Sequence, residues 1–72
     1  MTSREILSKN LKRLVAESGK TQQQIGELAG LSKAMICRYI SMARTPTLDN
    51  LDAIANFFGI TASDLLREDF KK

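Results

Sequence analysis

Hydrophobic residues recur along the chain at intervals of three and four positions, and no stretch alternates between apolar and polar residues. A spacing of three to four places side chains on one face of an α-helix, whereas a strand requires a spacing of two. The pattern therefore predicts a single all-α domain over residues 1–72 with five short helices. Their predicted bounds are about 3–18, 22–29, 33–41, 48–58 and 62–67, with a tail at 68–72.

Hydroxyl residues precede the predicted helices, where their side chains can accept a hydrogen bond from the first turn. Thr2 with Glu5, and Thr21 with Gln24, have the spacing of a capping box, in which each side chain bonds the backbone of the other residue. These pairs indicate where the first two helices begin. The other predicted N-caps are Ser32, Thr47 and Thr61.

Two short helices joined at Gly30 form the centre of the predicted fold. A glycine at the join can adopt a left-handed conformation at little cost. In the helix before the join, we expect Ile25, Leu28 and Ala29 to point inward. Gly26 is a poor helix former, and we expect it to allow a close approach of the next helix.

The helix after Gly30 has two faces of opposite character when its residues are placed at 100° intervals. One face is apolar, and its tyrosine is expected to lie in the core. The other face is small and basic, which is what a helix that enters a DNA groove requires. The apolar face comprises Met35, Ile36, Tyr39 and Ile40, and the opposite face comprises Lys33, Ala34, Cys37, Arg38 and Ser41.

The composition excludes several classes of function. Cys37 is the only cysteine and there is no histidine, so we expect no metal, no cofactor and no histidine-based catalysis. No apolar run approaches the roughly 20 residues that cross a bilayer, and no signal peptide is recognisable. These features predict a cytoplasmic protein that is not an enzyme and has no membrane partner.

The charge is unevenly distributed along the chain. Residues 1–46 contain eight lysines and arginines against three acidic residues, whereas residues 47–72 contain three against five. A basic N-terminal part attracts phosphate groups. Lys9, Lys12 and Arg13 lie away from the apolar stripe of the first helix, where they form either a solvated face or a phosphate contact.

The run from Thr21 to Leu66 resembles the phage repressor and Cro type of helix-turn-helix, the XRE family, and the resemblance covers about residues 4–66. It implies a compact, five-helix, lambda-repressor-like DNA-binding domain with the helix-turn-helix in helices two and three. The matching features are Thr21-Gln22, Gly30, Leu31-Ser32, Ile36, Arg44-x-Pro46-Thr47-Leu48 and Phe58-Gly59-Ile60-x-x-x-Asp64-Leu65-Leu66.

The chain departs from the family pattern at three places. Gly26 stands where members usually have alanine, and Ile40 and Met42 stand where members often have glutamate and glycine. In several members that glutamate pairs with an arginine at the position of Val15. Because both partners are apolar here, we predict that Val15 and Ile40 touch. Met42 leaves the exit of helix three without the left-handed glycine.

The resemblance implies that helix three enters the major groove of double-stranded DNA. Arg38 is the best candidate for a base contact, because a guanidinium can bond O6 and N7 of guanine together. Lys33 can donate to a guanine or a phosphate, and Ala34 offers a methyl group to thymine. The expected base-reading residues are Ser32, Lys33, Ala34, Cys37 and Arg38, and the expected phosphate contacts are Thr21, Gln22, Ser41 and Arg44.

Members of this family form dimers, so we expect a homodimer on a pseudo-palindromic operator and no small-molecule ligand. Phe57 and Phe70 either join the interface or pack within the domain. The expected function is that of a Cro-like or short repressor. The alternatives are an antitoxin, a restriction–modification controller, or a module that chiefly binds another protein. The expected interface residues are Thr45, Leu48, Ile60, Ala62 and Leu65.

Overall fold

The computed structural model describes residues 1–70, which form five α-helices and no strand. The all-α prediction is therefore confirmed. The predicted tail residues Lys71 and Lys72 lie outside the described residues. The helices are α1 (Ser3–Ser18), α2 (Gln22–Leu28), α3 (Lys33–Ile40), α4 (Leu48–Phe58) and α5 (Ala62–Leu65).

The last helix is shorter than predicted, ending at Leu65 and not at 67. The backbone N–H of Leu66 donates to the carbonyl of Ser63, and that of Arg67 donates to Asp64. These bonds span three residues, which is the tighter 3₁₀ spacing and not that of an α-helix. The predicted helix was therefore too long, because the backbone changes to the tighter spacing after Leu65.

Every helix begins at a hydroxyl residue whose side chain accepts a bond from the first turn, as predicted. Thr2 and Glu5 form a complete capping box, and so do Thr21 and Gln24. The start of each helix is therefore determined by residues within four positions of it. The N-caps are Thr2, Thr21, Ser32, Thr47 and Thr61.

The core is formed by side chains of all five helices: α1 and α2 pack on α3, and α5 packs on α1 and α4. Tyr39 is buried in the core as expected, and its phenolic oxygen accepts a bond of 3.0 Å from the side-chain amide of Asn50. That bond satisfies the one polar atom that Tyr39 brings into the apolar interior. The largest fully buried side chains are Leu11, Ile25, Ile36, Ile54 and Leu65.

The close packing of α2 on α3 explains one error in the predicted core. A Cβ atom on Gly26 would lie 2.8 Å from the carbonyl carbon of Ser32, so the expected close approach is confirmed. The buried side of α2 therefore lies between Ile25 and Gly26. Around the helix axis, Leu28 lies on the side of Ile25 that faces away from Gly26. It is 63% exposed, so the prediction that it points inward was wrong.

The chain after α5 turns back onto α1. Phe70 is buried, and the guanidinium carbons of Arg13 and Arg67 each lie 5.7 Å from the centre of its ring. Arg13 also donates to the backbone oxygen of Phe70 and lies 3.6 Å from a carboxylate oxygen of Glu17. The guanidinium of Arg13 thus packs against the end of the chain, and Phe70 packs within the domain and not in a dimer interface.

Asn10 is a buried polar residue that was not predicted from the sequence, although it interrupts the apolar stripe of α1. Its side chain is 2% exposed and donates to the carbonyls of Leu65 and Arg67, at 2.9 Å each. The first bond satisfies the carbonyl of Leu65 at the end of α5, and the carbonyl of Arg67, beyond the helix, also accepts a bond from the N–H of Phe70. We call the set Asn10, Arg13, Arg67 and Phe70 the tail clasp.

Candidate nucleic-acid interface

The outer face of α3 is exposed along its whole length. Ala34, Cys37 and Arg38 follow one another on this face, and Lys33 lies beside them at the first turn. The inner face is anchored by the buried Ile36 and by the buried tyrosine described above. The structure therefore presents the small and basic residues of α3 together, as the sequence pattern indicates.

Ser32 lies at the N-terminal end of this face, and its hydroxyl accepts a bond of 3.2 Å from the backbone N–H of Met35. This bond confirms the capping role, while the residue stays exposed beside Lys33. One lone pair and the hydroxyl proton of Ser32 can still bond to a second partner. Ser32 can therefore cap the helix and contact a ligand at once.

The beginning of α2 forms a second polar surface. Thr21 is exposed and forms a reciprocal pair of bonds with Gln24, at 2.9 and 3.1 Å. Gln22 follows it in the first turn and is half-buried. Backbone N–H groups and the helix dipole at this end favour an anion. Thr21 and Gln22 thus lie where the sequence analysis expected phosphate contacts.

The exit of α3 is built by a left-handed residue that is not glycine. Met42 has a φ of 66°, and its N–H donates to the carbonyl of Tyr39. The N–H of Ala43 then donates to the carbonyl of Arg38, which completes the hydrogen-bond pattern of a Schellman motif. The turn therefore forms without a glycine, because Met42 itself adopts the left-handed conformation.

These features agree with the comparison to known protein families. The chain matches the family model described as Helix-turn-helix over residues 11–65, well over half of its length. The chain belongs to this helix-turn-helix family. The match confirms the Cro/XRE type and, in general terms, a DNA-binding function in transcription regulation. No curated protein and no solved structure matches the chain.

The helix-turn-helix domain has two further phosphate candidates near the exit of α3. Ser41 is exposed, and its hydroxyl donates to the carbonyl of Arg38 at 3.2 Å. Arg44 is exposed in the loop and lines a surface depression together with Met35, Arg38 and Tyr39. Arg44 and Arg38 are brought together by the turn at Met42. Because no glycine marks that turn in the sequence, their proximity could not be predicted from it.

A polar contact joins α1 to the end of α3. The hydroxyl of Ser8 donates to the backbone carbonyl of Ile40. Val15 and Ile40 are both half-buried and pack against the same core cluster. Their direct contact stays a prediction. Lys9 and Lys12 are exposed on the outer side of α1.

Only some of the residues expected in the dimer interface are exposed at the surface of this helix-turn-helix domain. Leu48, at the start of α4, is 80% exposed. Leu65 is fully buried, so its side chain cannot be an interface residue, and the expectation for it was wrong because α5 directs it into the core. Leu66, next to it, is 38% exposed. The other expected residues are the exposed Thr45 and the half-buried Ile60 and Ala62.

Within residues 1–70, no helix is both long and apolar enough to cross a membrane. The same residues contain no cluster of three or more histidine, cysteine, aspartate or glutamate side chains placed to hold a metal ion. Phe57 is half-buried and packs its ring edge-on against Phe58, with the ring centres 4.9 Å apart.

Proposed function

We propose that this protein binds specific sequences of double-stranded DNA as a Cro-like or short repressor-type transcriptional regulator, with α3 in the major groove. The observation that supports this proposal is the exposed outer face of α3, where Lys33 and Arg38 flank the small Ala34 and Cys37. Small side chains allow the helix backbone to approach the base edges. The flanking cations supply donors for guanine and for phosphate.

Arg38 is the principal base-reading residue of the proposal. Its guanidinium can bond O6 and N7 of one guanine, which discriminates against a wrong base by about 1–3 kcal/mol. Lys33 donates to guanine or phosphate, and the Ala34 methyl group contacts a thymine methyl group. Ser32 and Cys37 complete the surface that faces the bases.

Phosphate contacts on either side of α3 position it in the groove. Thr21 and Gln22 lie at the beginning of α2, where the backbone N–H groups favour an anion. Ser41 and Arg44 lie beyond the end of α3. These contacts carry no sequence information and would weaken with salt.

A homodimer would place two such helices on one face of the DNA, about 34 Å apart. Leu48 supports this proposal, because an exposed leucine loses its contact with water when a second copy covers it. Thr45, Ile60 and Ala62 join it, and Leu66 replaces Leu65 in the proposed surface. The activity is binding without a catalytic step or a small-molecule ligand, and it takes place in the cytoplasm at the nucleoid.

Selection of bound sites from random DNA, followed by gel shifts at two salt concentrations, tests the proposal. The selected sites should be pseudo-palindromic, and affinity should fall steeply with salt. Arg38→Ala should cost about 1–3 kcal/mol and relax one base preference, whereas Gln22→Ala should weaken all sequences alike. Equal losses on selected and scrambled DNA for Arg38→Ala would refute its base-reading role. A module that chiefly binds another protein would select no site.

A further inference from the structure

Two arginines line one depression beside α3. Arg38 and Arg44 both line it, and Met35 and Tyr39 form the rest of its wall. At 100° per residue, Met35, Arg38 and Tyr39 lie on one flank of α3. Arg44 lies in the loop after α3, so the two arginines line the same depression from different elements.

The backbone holds the two arginines in a defined relation. The carbonyl of Arg38 accepts bonds from the N–H groups of Ala43, at 2.9 Å, and Arg44, at 3.3 Å. This arrangement requires the left-handed conformation of Met42, which costs a residue with a Cβ atom about 1–2 kcal/mol. The loop therefore returns to the end of α3 and does not extend away from it.

No acidic group neutralises this pair within the described part of the chain. The ion pairs among residues 1–70 join Arg13 to Glu17 and Arg67 to Asp64, and neither includes Arg38 or Arg44. Within residues 1–70, no hydrogen bond to a protein group is donated by the side chain of Arg38 or Arg44. A guanidinium has five N–H donors and no acceptor, so two adjacent ones match an anion that offers several oxygens.

We propose that Arg38 and Arg44 together bind one phosphate group in this depression, and that Met42 is the positioning residue that sets their relation. The inference rests on the proposed function, in which Arg44 contacts the DNA backbone, and it places the contacted phosphate in the depression. One edge of the Arg38 guanidinium then bonds the phosphate, and its other edge stays available to a guanine. The bound phosphate thus orients the base-reading side chain before it meets a base.

An NMR titration of the free protein with inorganic phosphate, at constant ionic strength, gives the first test. The Nε–Hε signals of Arg38 and Arg44 should shift together and saturate with one dissociation constant. Arg44→Ala should weaken phosphate binding at Arg38 at least fivefold, whereas Arg4→Ala, an exposed arginine at the start of α1, should leave it unchanged. Met42→Gly should preserve binding, and Met42→Val should weaken it, because a β-branched residue disfavours the left-handed conformation.

A double-mutant cycle on the selected DNA site gives the second test. If Arg38 and Arg44 share one phosphate, the double variant should lose at least threefold less affinity than the product of the two single losses. Coupling on DNA assigns the depression to a backbone phosphate, and saturation by inorganic phosphate without coupling assigns it to a free oxyanion. Independent losses on DNA together with shifts that never saturate would overturn the proposal. DNA binding by the unaltered protein would still stand in that case, so the two failures are distinguishable.

Discussion

The junction between α2 and α3 is made by backbone atoms, whereas the junction between α1 and the chain after α5 is made by side chains. At the first, Gly26 lies against the backbone of Ser32, and the N–H of Leu31 donates to the Gly26 carbonyl at 2.6 Å. At the second, the tail clasp joins α1 to backbone carbonyls and to the buried ring of Phe70. Adding a side-chain atom at a close backbone contact creates a clash, whereas removing side-chain atoms from a packed contact leaves a cavity. Either change lowers stability. The two junctions should therefore fail in opposite ways.

The largest effect is expected at the tail clasp. Phe70→Ala removes a buried ring and leaves a cavity between Arg13 and Arg67, which should lower the free energy of unfolding by about 3–5 kcal/mol. Urea unfolding followed by circular dichroism measures the loss. Phe57→Ala removes a half-buried ring outside the clasp and should cost less. A loss below about 1 kcal/mol for Phe70→Ala would show that the clasp adds little.

The tail clasp also shows which parts of the structure the sequence could not predict. Capping boxes and the two faces of α3 were predictable, because they depend on residues within a few positions of each other. The clasp joins Asn10 to carbonyls 55 and 57 residues further along the chain, so no local pattern indicates it. The family model ends at residue 65 and does not include Phe70. Leu28 was assigned wrongly for a related reason, since the buried side of α2 is set by α3.

At the interface itself, the exposed face of α3 followed from its periodicity, but the depression shared by Arg38 and Arg44 did not. It depends on the left-handed turn at Met42, and glycine is the residue that usually indicates such a turn. Leu65 and Leu66 are adjacent in the sequence, and only the packing of α5 on α1 shows which of the two is buried. Periodicity over a four-residue helix is too short to decide between them.

A smaller effect is expected at the α2–α3 junction. Gly26→Ala improves helix propensity by about 1 kcal/mol but places a Cβ atom 2.8 Å from a backbone carbon that cannot rotate away. We expect a net loss of about 1–2 kcal/mol, because overpacking typically costs 1–3 kcal/mol. DNA affinity should fall as well, since the displaced atoms belong to the first turn of α3. Gln23→Ala, at an exposed position of α2, should change neither quantity appreciably. If Gly26→Ala instead raised the stability, the start of α3 would have to shift away from the added Cβ atom at little cost.

The smallest effect is expected on lowering the pH, and it should weaken the tail-clasp junction more than the α2–α3 junction. The backbone N–H of Thr2 donates to Glu5 and holds the pKa of that carboxyl below its usual range, and the N–H of Thr61 does the same for the pKa of Asp64. Both carboxylates cap the helices that the tail clasp joins. The cap of α2 uses Gln24 in the same position, which carries no titrating group.

A carboxyl with a lowered pKa in the folded state stabilises the fold above its unfolded pKa, about 4, and loses that contribution as the pH falls through its folded pKa. Stability should therefore decline below about pH 4, and the amide NMR signal of Thr61 should shift over the same range. The amide signal of Thr21, which donates to Gln24 at 2.9 Å, should not follow it. The Glu5→Gln, Asp64→Asn double variant should show a weaker decline in urea unfolding. An equally steep decline in that variant would place the acid sensitivity elsewhere, and parallel shifts at Thr21 and Thr61 would mean that acid loosens both junctions together.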